Sequence, residues 1–89
     1  MTRKDRIAAA LTEALRPTRL DVVDESDRHA GHAGARPGGE THYRLHIVSP
    51  AFVGKTRVER HRMVNALLAA EFASGLHALA IAAAAPDEA

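Results

Sequence analysis

The sequence predicts an α+β domain: helices packed on one side of a three-stranded sheet. Three observations carry this. Ile7, Leu11 and Leu15 recur every four positions and give one apolar stripe on a helix over 3–15. Residues 42–48 alternate, Tyr43, Leu45 and Ile47 facing one way and His42, Arg44 and His46 the other, which is a strand. Val64, Leu67, Leu68 and Phe72 then form the buried stripe of a second helix over about 57–73. Two further strands complete the order helix, strand, strand, helix, strand, an arrangement in which the helices cover the sheet.

Taken in order, Pro17 stops the first helix because its ring removes an amide donor and clashes with the preceding turn. Residues 20–24 read as a short strand with Leu20 and Val22 on one face. Residues 25–41 have no periodicity and contain glycines and a proline, so they form a loop. A connection of this length exceeds the usual hairpin turn, and long loops in small domains tend to carry function. Ser49-Pro50 ends the central strand, and a connection through Phe52 and Gly54 leads to the second helix, which Gly75 is placed to close. Residues 77–83 form the last strand, with Leu79 and Ile81 alternating against alanines, and residues 84–89 are expected to fray. All 89 residues make one domain. A chain this short buries only about 60–65% of its unfolded surface, so its core is thin.

Composition excludes several functions. There is no cysteine, hence no disulfide, no thiol catalysis, no zinc ribbon and no thiolate-only cluster site. Tyr43, Phe52 and Phe72 are the only aromatics, too few for a base-stacking platform. No segment approaches the roughly 20 apolar residues of a membrane span, and the first residues lack a signal-peptide core. A cytoplasmic protein without membrane association is expected. The formal net charge of +1 neither demands nor excludes nucleic acid.

Three places could carry chemistry. Lys55, Arg57, Arg60 and Arg62 gather with His61 at the start of the second helix. Cations there oppose the helix dipole, by about 0.3–1 kcal/mol each, and only Glu59 offsets them. The same arrangement binds anions, whether nucleic-acid phosphate, an acidic partner or a small carboxylate; the alternative is a solvated basic face. His61 also borders the apolar stripe, where a packed, hydrogen-bonded histidine at the core edge is the ordinary reading. The second place is the loop pair His29 and His32, three residues apart and able to reach one metal. Two ligands do not make a zinc site; His42, His77 or Asp27 could complete one, but no spacing specifies it, and the alternative is a solvated loop. The third is His77, beside Leu79 and Ile81 on one face of the last strand, where a satisfied histidine at the core rim is the ordinary reading. Nothing assembles an enzyme: no serine lies in a nucleophile motif, and Gly54-Lys55-Thr56 lacks the upstream glycine of a phosphate-binding loop.

These stretches together resemble the BolA family. The resemblance is carried by Val23-Asp24-Glu25-Ser26 and His29, by 39–43 (Gly-Glu-Thr-His-Tyr), and by 47–49 and 52–54 (Ile-Val-Ser, Phe-Val-Gly). It continues through Arg60-His61-Arg62-Met63-Val64-Asn65-Ala66-Leu67 and 76–81 (Leu-His-Ala-Leu-Ala-Ile), covering roughly 5–86. The combination of Arg-His-Arg with the later His-Ala-Leu is its specific part. The resemblance implies the αββααβ fold, similar to a class II KH domain, with an extra short helical turn near 53–57 or before the last strand. It implies a non-enzymatic partner of a monothiol glutaredoxin, sharing a [2Fe–2S] cluster. The partner would supply a cysteine and a bound glutathione; this chain would supply His77 and a loop histidine, His29 or alternatively His32. A histidine in place of thiolate has precedent in Rieske centres. The isolated protein is then expected to hold no cofactor and to be a monomer. The KH-like fold implies a second possibility, a transcriptional regulator that binds DNA through the basic cluster, although the sequence lacks the Gly-x-x-Gly loop of true KH domains.

Overall fold

Helix α1 (Arg3–Leu15) starts where Thr2 accepts the amide of Asp5 and Asp5 accepts that of Thr2, a reciprocal capping box. The computed structural model describes residues 1–25 and 41–89. The loop histidines His29 and His32 lie outside them. Helix α1 ends at Arg16, in the left-handed region at φ 45°, directly before Pro17. Ile7, Leu11 and Leu15 are buried as their spacing predicts.

Strand β1 (Arg19–Asp24) pairs antiparallel with β2 (His42–Val48), and β2 pairs parallel with β3 (Ala78–Ala84), giving the order β1-β2-β3. A parallel neighbour cannot follow a hairpin and needs a crossover. Residues 49–77 provide it: a 3-10 turn (Pro50–Phe52), helix α2 (Arg57–Leu67) and the short helix α3 (Ala69–Ala73). Tyr43, Leu45 and Ile47 of β2 face a core completed by Val22, Phe52, Val64, Leu68, Leu76 and the α1 stripe. Ser49 is wholly buried, and its hydroxyl serves two backbones at once. It donates to the Leu15 carbonyl at the end of α1 (2.6 Å) and accepts the amide of Ala51 (3.1 Å), so a helix end and a turn are both satisfied without water.

Two expectations are corrected. The second helix is not continuous over 57–73. It breaks at Leu68 (φ −104°, ψ 15°), whose side chain is anchored in the core. Spacing shares a face only along an unbroken helix, so Phe72, beyond the break, leaves the stripe, while Leu67, inside α2, sits at the stripe's exposed margin. Val64 and Leu68 are buried, whereas Leu67 and Phe72 are exposed. The added short helical element is therefore partly the 50–52 turn and partly α3. The second correction concerns the tail: instead of fraying from 84, β3 runs to Ala84 and Pro86–Glu88 form a 3-10 turn.

Helix α3 ends as predicted at Gly75, with φ 127°. Leu76, just beyond, donates its amide to the Glu71 carbonyl (2.9 Å) and buries its side chain, which is the Schellman arrangement. Glu71 also receives Arg3 (2.9 Å) and Arg6 (3.1 Å) from α1. The hydrogen bond from Arg6, then the charges of both arginines, hold its carboxyl below the usual range.

The burial pattern separates variants sharply. Leu45→Ala, in a fully buried side chain, should cost about 2–5 kcal/mol, whereas Phe72→Ala should cost about 1 kcal/mol or less. Urea unfolding of the two variants measures the difference; a continuous 57–73 helix with Phe72 in the core would make the two costs similar.

Candidate functional site

His77 is placed by its backbone. Its amide donates to the Thr41 carbonyl (2.8 Å), and the next amide, of Ala78, reaches the same oxygen (3.1 Å). The preceding Leu76 is buried and His77 itself is exposed. The ring therefore stands at the N-terminal end of β3, held from both sides but open to solvent. It lies against His42, ring centroids 5.2 Å apart and tilted by 53°. His42 is buried, and its Nδ1 is 2.9 Å from the Thr41 hydroxyl.

The same end of the sheet closes the segment that carries His29 and His32. Glu25, the last described residue before it, donates its amide to the His42 carbonyl (2.8 Å), and Thr41, the first after it, accepts from His77. Both stems of the 26–40 segment thus meet beside His77. A hollow of about 380 Å³ adjoins, lined by Phe72 to His77. The exposed Phe72 stands at its edge. No group of three or more histidine, aspartate or glutamate side chains suited to a metal occurs among the described residues. One exposed imidazole is a partial ligand set, and anything bound there needs donors from elsewhere.

The basic cluster is divided by the structure. Lys55, Arg57 and Arg62 are exposed and His61 is half-buried, but Arg60 turns inward and is 8% exposed. Its Nε donates to the Lys55 carbonyl (2.9 Å), one Nη to the Ala83 carbonyl (3.3 Å), and the other to Glu88 (2.8 Å), with the guanidinium 6.0 Å from the centre of the Phe52 ring. Arg60 is thus withdrawn from any docking face and instead fastens the tail to α2. Sequence reasoning grouped it with its neighbours because a cation beside other cations looks solvated; its acceptors lie 23 and 28 residues away. A capping box at Thr56 and Glu59 starts α2, and its Thr-x-x-Glu pattern is a signal that sequence reasoning missed. There the Thr56 amide and hydroxyl lower the Glu59 carboxyl. His46 of β2, not singled out from sequence, joins Arg57 and His61 around a second hollow of about 290 Å³ beside Ile81–Ala84.

Glu88 completes the clamp. It accepts from Arg60 and from the Ala85 amide (3.0 Å). The Arg60 hydrogen bond first, and the Ala85 amide second, pull its carboxyl from 4.5 down to about 2. A carboxylate whose folded value is depressed stabilises the fold above its unfolded value and loses that contribution as pH falls. Glu88→Gln should therefore lower the thermal midpoint at pH 7, and its deficit should shrink between pH 4.5 and pH 2. Calorimetry across that window tests it; a deficit constant with pH would show that the clamp is not ionic.

Among the described residues no helix is long and apolar enough to cross a membrane. Comparison with known proteins places these features in a family. A family model described as BolA-like protein matches residues 11–88. The chain is 49% identical to an uncharacterised protein from Sinorhizobium over 89 residues, 99% of this chain and 96% of the other. It is 41% identical to the DNA-binding transcriptional regulator BolA of Escherichia coli over 78 residues, 88% of this chain and 70% of that one. The solved BolA domain of SufE1 from Arabidopsis thaliana superposes with a TM-score of 0.90 at 48% identity, over 100% of this chain and 98% of that domain. In the chloroplastic/mitochondrial SufE-like protein 1 of the same plant, the matching region is 24% of the whole length.

Proposed function

The chain belongs to the BolA family, and from that premise we propose that it is a non-enzymatic partner of a monothiol glutaredoxin, co-ligating a [2Fe–2S] cluster for cluster trafficking or iron and redox regulation. The observation that carries this reading is the placement of His77, exposed, anchored through two amides on Thr41, at the sheet end where both stems of the 26–40 segment close. A second imidazole would come from that segment, from His29 or His32. The remaining two ligands would be thiolates from the partner's cysteine and a bound glutathione. The chemistry of the donor set suits a shared site: the chain has no cysteine and presents imidazole, which cluster iron accepts in place of thiolate. Its own described residues offer too few ligands to hold a cluster alone. The exposed Phe72, beside the hollow at His77, offers the partner an apolar contact.

Mixing the protein with a monothiol glutaredoxin, glutathione, iron and sulfide should change the visible absorption and circular dichroism from those of the glutaredoxin's own cluster. His77→Ala should abolish that change, and the separate His29→Ala and His32→Ala variants identify the loop ligand. A spectrum unchanged by the wild-type protein, under conditions where the glutaredoxin holds its cluster, would reject the ligand assignment.

A second reading is favoured by the name of the E. coli relative, a DNA-binding transcriptional regulator. In this chain phosphate contacts would fall to Lys55, Arg57 and Arg62, the exposed members of the cluster, with Arg60 excluded by its clamp. Binding of this kind weakens steeply with salt. Arg57→Ala with Arg62→Ala should flatten the salt dependence of binding to duplex DNA while leaving the cluster spectrum intact.

A further inference from the structure

Strand β3 is an edge strand of the described sheet, with no strand on its outer side. The ladder fixes which groups point outward. Ala78 donates to Thr41, and the Ala84 carbonyl accepts from Ser49, both on the β2 side. Along a parallel ladder alternate residues of one strand bond to the same neighbour, so 78, 80, 82 and 84 serve β2, and Leu79, Ile81 and Ala83 direct their amides and carbonyls away from the sheet. Of these outward groups the Ala83 carbonyl is taken by Arg60. Leu79 and Ile81 have no hydrogen-bond partner on that side among the described residues.

Exposed edges are normally blunted by charge, proline or a bulge. Strand β1 follows that rule, with Arg19, Asp21 and Asp24 exposed along it. Strand β3 does not: its exposed side chains are alanines, at 78, 80 and 82. These small side chains leave room for a further strand to approach. The ground beside the edge is also chemically marked. The hollow at Ile81–Ala84 is lined by Arg57 and His61 from α2 and by His46 from β2. Arg57 makes no ion pair with a described residue, and Asp21 approaches His46 only to 4.0 Å. Asp21 is itself engaged by Arg19 (2.9 Å), and Glu88, in the tail, by Arg60.

We propose that the β3 edge is a docking site for an extended, acidic segment of a partner protein, which adds a fourth strand to the sheet. Main-chain hydrogen bonds to Leu79 and Ile81 hold the segment. Acidic side chains at its end near Ala84 enter the hollow and meet Arg57, His61 and His46. A second copy of this chain fits less well, because pairing β3 with β3 would bring nothing acidic into the hollow except the tail that Arg60 already holds. The hollow lies at the end of β3 away from His77, while the added strand reaches Leu79, two residues from His77.

The test uses the full chain and two synthetic peptides of alternating valine and threonine, one ending in three glutamates and one in three lysines. Amide exchange of the nitrogen-15-labelled protein is followed by NMR at low salt. The glutamate peptide should slow exchange at Leu79 and Ile81, and the lysine peptide should not. Arg57→Glu combined with His61→Glu should weaken the glutamate peptide about tenfold or more, since like charges facing across an interface oppose docking. A glutamate at residue 57 suits the first turn of a helix, so the fold survives, which the thermal midpoint verifies. No protection on β3, or equal protection by both peptides, would overturn the proposal. So would protection without peptide accompanied by a dimer in sedimentation, which would make a second copy the occupant.

Discussion

Strand β2 uses the hydrogen-bonding groups on both of its sides, antiparallel to β1 and parallel to β3, and this double pairing sets the position of nearly everything else. Because side chains alternate with a period of two, a slip of one residue would turn Tyr43, Leu45 and Ile47 out of the core. The apolar core therefore locks the register, and the register in turn locks the end of the sheet. It brings Ala78 opposite His42 and puts the amide of His77 on the Thr41 carbonyl. The exposed histidine is thus located by burial elsewhere, through a ladder that cannot shift without losing the core.

The crossover that returns the chain to β3 shows the same division of labour. Ser49 satisfies the end of α1 and the turn that follows β2. Arg60 then draws together the start of α2, the end of β3 and the C-terminal turn. One acceptor lies five residues away and the other two lie 23 and 28 residues away. Removing the side chain would leave the Lys55 and Ala83 carbonyls without this donor and release the tail at the same moment. A cation at the start of a helix is unfavourable to the dipole, and this one is retained because its charge is spent on long-range contacts rather than on the helix.

Local patterns made the elements legible. The four-residue recurrence of Ile7, Leu11 and Leu15 defined α1, and the alternation of 42–48 defined β2, because each pattern reports a single face of a single element. What stayed hidden was non-local. Nothing in the sequence near Leu68 announces a break, and so Phe72 was assigned to the core it leaves. The inward turn of Arg60 depends on Glu88, and the contact of His77 with His42 depends on the β2–β3 register. The site was accordingly read as types of residue, with its members named but not its arrangement. His46 went unnoticed because only the register and the approach of α2 bring it beside Arg57 and His61.

The pair His42 and His77 shows why exposure, rather than residue type, separates a structural histidine from one open to a partner. Both sit at the same end of the sheet, with rings 5.2 Å apart. His42 is covered, and its Nδ1 lies within hydrogen-bonding distance of the Thr41 hydroxyl, so its ring is committed to the protein. His77 has its backbone fixed by Thr41 and its side chain in solvent. A ligand presented to a second protein needs that combination, because a loosely held backbone would lose entropy on binding and a buried ring could not be reached. The His42 ring adds a rigid wall behind His77, and Phe72, displaced from the core by the break at Leu68, stands at the edge of the adjoining hollow. The helix break thus accompanies an apolar side chain left on the surface near the exposed histidine.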